Sequence, residues 1–222
     1  MSLSTRDQIL VRLRQAPGKS AAERPAVERP GAAALGRDDR IAAFCARFAE
    51  QTGIVYHHDP ARDIGQSLAE ICREHAISRV ISGCDSVLAA SGLPDAAMGI
   101  PELEIRVQSG FADREEFAEA VFAWADAGLT GADYGVAESG TLVLAFDRDH
   151  ARLLSLAPDV HIAVLPRDRV VGAYEQAMAE ICRGRQMPSQ ICFITGPSMT
   201  ADIQGLPFKG MHGPGKIIVL LV

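Results

Sequence analysis

Residues 217–222 read Ile-Ile-Val-Leu-Leu-Val, six apolar residues without a break. That is far short of the roughly 20 residues that cross a bilayer. As a strand it has no polar side, so both of its faces must be covered. A largely parallel sheet with helices on each side meets that demand. The preceding chain fits the same frame. Strands are expected at Ile54–His57, Arg79–Ser82, 103–107, 161–165 and 190–195, and amphipathic stripes alternate with them. The expected fold class is therefore α/β.

The helical stripes carry their own boundary signals. Ile41, Phe44, Cys45 and Phe48 share one helical face, with Gly53 as the stop. Asp59-Pro60 supplies a cap and a first-turn proline before Ile64, Leu68, Ile71 and Cys72. Asp113 and Glu116 form a capping-box variant ahead of Phe117, Val121 and Trp124, with Gly128 as the end. Residues 168–183 are expected to be a helix with Val170, Val171, Tyr174, Met178 and Ile181 inward. Residues 130–146 read as two extended runs joined around Glu138-Ser139-Gly140. Before residue 37 the pattern is thinner. Ser4 is placed to cap a short helix bearing Ile9, Leu10 and Leu13, and residues 16–36, with Pro17, Pro25 and Pro30, read as an extended linker. The division is an arm over 1–36 and a domain over 37–222. The arm either packs on the body, serves homo-oligomerisation, or is a frayed tail.

Composition narrows the function. At 222 residues and 48% apolar, the chain has enough material for a packed core, and no window reaches a membrane span. A formal charge of −6 argues against generic binding to nucleic acid. Residues 1–15 carry Arg6, Asp7, Arg12 and Arg14 and do not read as a secretory signal. Cys45, Cys72, Cys84, Cys182 and Cys192 are odd in number and lack metal-ligand spacing, so no zinc or iron–sulfur ligand set and no disulfide framework is expected. A cytoplasmic protein with reduced thiols is the expectation.

Three segments offer chemistry. Gly196-Pro197-Ser198-Met199-Thr200-Ala201-Asp202 follows a strand, and its glycine, hydroxyls and following N–H groups suit an anion cradle opening a short helix. It reads equally as a capped turn. Lys209-Gly210-Met211-His212-Gly213 lies in a Gly/Pro-rich loop, where His212 is placed either as an acid/base or as a pin on a backbone carbonyl. Glu138, at the hairpin turn, is placed as base, nucleophile or ligand, or as an acceptor for N–H groups of its own turn, and Asp133 and Tyr134 could accept likewise. Cys84 reads as a small buried thiol, His57-His58 as solvated or core histidines, and His75 and His150 as helix-end residues.

Taken in order, Asp133-Tyr134-Gly135-Val136-Ala137-Glu138-Ser139-Gly140-Thr141, Gly196-Pro197-Ser198-x-Thr200-Ala201-Asp202-Ile203 and His212-Gly213-Pro214 resemble the signature of the LUD-domain family. The resemblance covers roughly 37–222. It implies a three-layer α/β/α fold like that of the glucosamine-phosphate deaminase, ribose-phosphate isomerase and CoA-transferase superfamily. It also implies a role in oxidising L-lactate to pyruvate, with iron–sulfur clusters on two partner proteins and no cofactor on this chain. Glu138 and His212 become the expected catalytic residues. Gly196, Pro197, Ser198, Thr200, Asp202, Lys209 and Gly213 become the expected ligands of a small carboxylate or other anion. The alternative is a stand-alone CoA-transferase- or isomerase-like enzyme using Glu138. Met199 stands where the family often has a basic residue, and Gln204 where an acid is common; Lys209 or backbone groups would then hold the anion.

Overall fold

The computed structural model describes residues 5–15, 35–183, 187–201 and 207–222. Its strands, in chain order, are β1 (Ile54–His57), β2 (Arg79–Ser82), β3 (Glu104–Val107), β4 (Ala127–Gly131), β5 (Tyr134–Val136), β6 (Thr141–Phe146), β7 (Val160–Leu165), β8 (Val170–Val171), β9 (Gln190–Ile194), β10 (Met199–Ala201), β11 (Pro207–Lys209) and β12 (Lys216–Leu221). Its helices are α1 (Thr5–Gln15), α2 (Arg37–Glu50), α3 (Ile64–Glu74), α4 (Ser86–Ser91), α5 (Leu93–Ala97), α6 (Arg114–Ala123) and α7 (Tyr174–Arg183). Six strands pair entirely in parallel, in the order β1-β12-β7-β4-β2-β3. A second sheet, β8-β5-β6-β9, is mostly antiparallel, and β10 and β11 form a separate two-stranded ribbon. This is the expected three-layer α/β architecture with a second sheet added.

The all-apolar strand behaves as its sequence demands. Ile217 to Leu221 are all buried in β12, between β1 and β7. Alternate residues face opposite layers. Ile218 and Leu220 join Leu68 and Ile71 of α3, Leu88 of α4 and Leu93 of α5. Val219 and Leu221 join Phe44 and Phe48 of α2 and Leu142 and Leu144 of the second sheet. Each such side chain contributes about 1.5–3 kcal/mol by leaving water. On that second face, Ile81 of β2 is covered by Ala120 and Val121 of α6 and by Leu154. The outer face of the second sheet takes α7, with Val136 and Val143 against Ala177. At the amino ends of the strands, Asp126 accepts from Ser78 N and Oγ, Arg79 N and the Arg79 guanidinium, fastening β2 to β4. Partial burial alone would raise its carboxyl, but those bonds outweigh it and hold it down to about 2.

Several expected boundaries move, each for a local reason. The cap of α3 is Asp63, whose Oδ1 accepts from Gly65 N; Asp59-Pro60 instead makes a turn in which Ala61 N donates to Asp59 Oδ1. After α2, Thr52 rather than Gly53 takes the left-handed conformation (φ 63°). Gly53 is required by close packing, because a Cβ there would lie 2.3 Å from the Phe48 ring. Gly128 does not end α6. It lies inside β4, where a Cβ would meet Leu154 O at 2.1 Å. Val170–Val171 is a strand, and the following helix starts only at Tyr174, which is exposed. The β-branched pair favours the pleated backbone. α4, α5, β10 and β11 carry no counterpart among the expected elements. On α1, Ile9, Leu10 and Val11 are exposed. Most of the expected linker lies outside the described residues.

Candidate functional site

The three segments singled out in the sequence form two fasteners. Gly140, with φ 63°, turns the β5–β6 hairpin so closely over α2 that a Cβ would meet Phe48 N at 2.3 Å. Beside it, Glu138 Oε1 accepts from Tyr174 N at 2.9 Å, at the start of α7 rather than within its own turn, and Oε2 is buried without a partner. Hydroxyls continue the fastening: Ser139 Oγ lies 2.7 Å from Thr141 Oγ1, which lies 3.0 Å from Thr195 Oγ1. Gly196 then passes the end of α2, where a Cβ would lie 2.8 Å from Gln51 O.

The second fastener centres on Ser198. Its N–H donates to Pro214 O, its carbonyl accepts from Gly210 N, and its Oγ accepts from His212 N at 3.3 Å. Gly213 packs against it, with a Cβ position 3.4 Å from Ser198 Cβ. The helix expected to open at Ser198 is not formed. Residues 199–201 are β10, and Thr200 pairs with Phe208 while Met199 lies opposite Lys209. The Ser198 N–H is thus already engaged and unavailable to an anion. Pro197 is buried, and the His212 side chain is exposed. Lys209 borders a cleft of about 690 Å³ at the amino ends of the parallel strands, with Lys216, Asp126 and Asp159. Asp202 and Gln204 lie outside the described residues. The structure therefore brings Ser198, His212, Gly213 and Lys209 into one ribbon, while the Glu138 carboxylate is directed to α7.

A different set of groups converges at the carboxyl ends of the parallel strands. After β2 the chain turns outward to β3, and after β4 it turns the opposite way towards β7. Such a switch in direction opens a crevice. Asp85, just past β2, is buried and ties the two strand ends together: Oδ1 accepts from Val87 N and Leu88 N, and Oδ2 from Gly131 N of β4. Asp133, just past β4, accepts from Ala145 N at 2.7 Å and lies 3.9 Å from His150 Nδ1. Burial is the largest influence on the Asp133 carboxyl and raises it, with Asp85 adding to the rise; the Ala145 N–H, His150 and Arg169 oppose it.

His150 is no helix-end residue. It is buried, edge-on to Phe146 at 4.9 Å, and its Nε2 has no partner. Behind it, fully buried His161 of β7 sits 2.8 Å from Thr130 Oγ1 of β4, and burial, with help from His150, lowers its pKa to about 3. Cys84 donates to Asp149 O, and its thiol is raised by burial and then by Asp149, Asp85 and Asp147, the opposite of an activated nucleophile.

The crevice holds about 480 Å³ and is lined by Asp133, Tyr134, Asp147, Arg148, Asp149 and Arg169 among others. Arg148 and Arg169 make no ion pair among the described residues. A guanidinium binds a carboxylate through two parallel bonds, and a carboxyl that burial makes hold its proton more tightly suits proton transfer. Among the described residues no three or more His, Cys, Asp or Glu side chains are grouped to hold a metal. The sequence signal for this crevice was Asp133, an acid just past an apolar strand. The long separation of His150 in the chain concealed its place beside that carboxylate.

Comparison with known proteins adds the context. The LUD domain family matches residues 41–222. Lactate utilization protein C of Oceanobacillus iheyensis is 32% identical over 177 residues, which is 76% of this chain and 75% of that protein. The protein of the same name from Bacillus subtilis is 40% identical over 102 residues, 44% of this chain and 42% of its own length. The crystal structure of a DUF162 family protein from Deinococcus radiodurans aligns with a TM-score of 0.57 at 24% identity, over 85% of this chain and 99% of that one, and shares its fold.

Proposed function

The chain belongs to the LUD-domain family, and on that footing we propose that it serves lactate utilisation by binding the small 2-hydroxy carboxylate in the crevice beside the carboxyl end of β4. The observation that carries this reading is the convergence of Asp133, Arg148 and Arg169 on one crevice, with His150 Nδ1 3.9 Å from the Asp133 carboxylate. Arg169 would take the carboxylate. Asp133, steadied by His150, would accept the hydroxyl proton as lactate becomes pyruvate. The Cα hydrogen would leave with its electron pair to a hydride acceptor on the partner proteins, from which the two electrons would pass to their iron–sulfur clusters. The five cysteines, all free, support a reducing, cytoplasmic setting. Glu138 and the Ser198–His212 ribbon then hold the frame rather than the substrate.

Reconstitution tests the proposal. Purified chain plus iron–sulfur partner proteins of a lactate-utilisation system should reduce a dye in a lactate-dependent manner, and Arg169→Ala should lower that rate by about tenfold or more, the worth of a charge-assisted hydrogen bond. Full activity of the partners without this chain would contradict it.

A further inference from the structure

We infer that the larger cleft on the other side of the 147–150 segment is a binding site for a nucleotide, an aromatic base carrying phosphate. The cleft holds about 790 Å³, far more than a three-carbon acid would fill and within the range of cofactor sites. Its walls are rich in aromatic rings. Phe111 and Phe117 meet edge-to-face at 5.5 Å, Phe146 meets His150 at 4.9 Å, and Phe122 stands 69% exposed at the rim. An exposed phenylalanine beside such walls offers a face on which a flat ring can stack.

The polar groups of the cleft sort into those already engaged and those left open. Asp113 Oδ1 accepts from Glu115 N and Glu116 N, and Asp147 Oδ1 accepts from Asp149 N and His150 N. Gln108 is held at both ends, donating to Arg148 O and accepting from Ala151 N, and Arg152 is bonded to Gln190. Left open are two guanidiniums and one imidazole nitrogen, beside the second carboxylate oxygens of Asp113 and Asp147. The Arg114 and Arg148 guanidiniums have no ion-pair partner among the described residues, and His150, buried to 4% exposure, leaves Nε2 without one. Two open guanidiniums match phosphate oxygens, and the aromatic walls match a base. Neither half of the cleft alone explains the other, whereas one molecule with both properties satisfies both.

The test titrates the full chain with ADP by calorimetry, with adenosine and inorganic diphosphate as the separated halves and NADH and FMN as other nucleotides. ADP or one of those two should bind saturably, and adenosine and diphosphate should each bind about tenfold more weakly or worse. Arg114→Ala and Phe122→Ala, both surface changes, should each weaken nucleotide binding about tenfold while leaving L-lactate binding in the neighbouring crevice unchanged. Failure of all three nucleotides to bind would overturn the inference. So would diphosphate binding as tightly as the nucleotide, or affinity unaltered in either variant. Because neither Arg114 nor Phe122 lines the crevice, loss of nucleotide binding and loss of lactate binding are separately visible.

Discussion

At the scale of single residues, the carboxylates show how one side-chain type is given different work by its surroundings. Glu138 accepts one backbone N–H at the start of a helix, where the partial positive charge favours an anion. Gln at this position can still accept that bond, and Ala cannot. Glu138→Ala should therefore cost about 1–3 kcal/mol in chemical denaturation and Glu138→Gln clearly less, with lactate-dependent activity kept in the Gln variant. A covalent role for Glu138 would instead make Gln as inactive as Ala. Asp133 is the opposite case. Its carboxyl is raised in the folded protein, chiefly by burial, so folding prefers it protonated. Its stability contribution is complete below the ordinary Asp value of about 4 and is lost as pH rises through the raised one. Asp133→Asn should accordingly raise the melting temperature at pH 7, with the gain vanishing below about pH 4, and should abolish lactate turnover. A thermal-shift series across pH reads the first effect and the reconstituted assay the second.

At the scale of elements, legibility followed how much of the signal was local. Arg79–Ser82 and Ile54–His57 were readable because an apolar run and its boundaries lie within a few residues. The α3 stripe was readable too, although its cap fell at Asp63, since both Asp59 and Asp63 can accept a backbone N–H. Gly128 was misread because its reason lies elsewhere in the chain: the Leu154 carbonyl crosses directly above it. Gly128→Ala should consequently destabilise by about 3 kcal/mol, since neither β4 nor the backbone at Leu154 can easily give way. Denaturant midpoints for this variant, against Gly110→Ala where a Cβ meets nothing, separate close packing from a general effect of removing glycine. The family signature around Glu138, Gly196 and Ser198 marks joints of the same kind. It holds hairpin, α2 and ribbon together, and a Cβ at Gly140 or Gly196 would meet backbone at the end of α2 at 2.3 and 2.8 Å.

At the scale of the whole molecule, strand order decides where chemistry can occur, and strand order is what periodicity does not contain. The expectation of a parallel sheet covered on both sides held because the 217–222 run permits little else. The outward turn after β2 and the opposite turn after β4 became visible only with all six strands in place; Asp133, Arg148 and Arg169 meet on one crevice from distant parts of the chain, with His150 beside Asp133. Asp133 was noticed in the sequence for its segment and His150 was set aside, because nothing local ties the two together. The most direct test is a titration of isotopically labelled protein with L-lactate, followed by backbone amide NMR. Shifts should appear at Asp133, Arg148, His150 and Arg169 and disappear in Arg169→Ala; shifts confined to Ser198 and the 210–213 turn, or none at all, would contradict the placement of the substrate in this crevice.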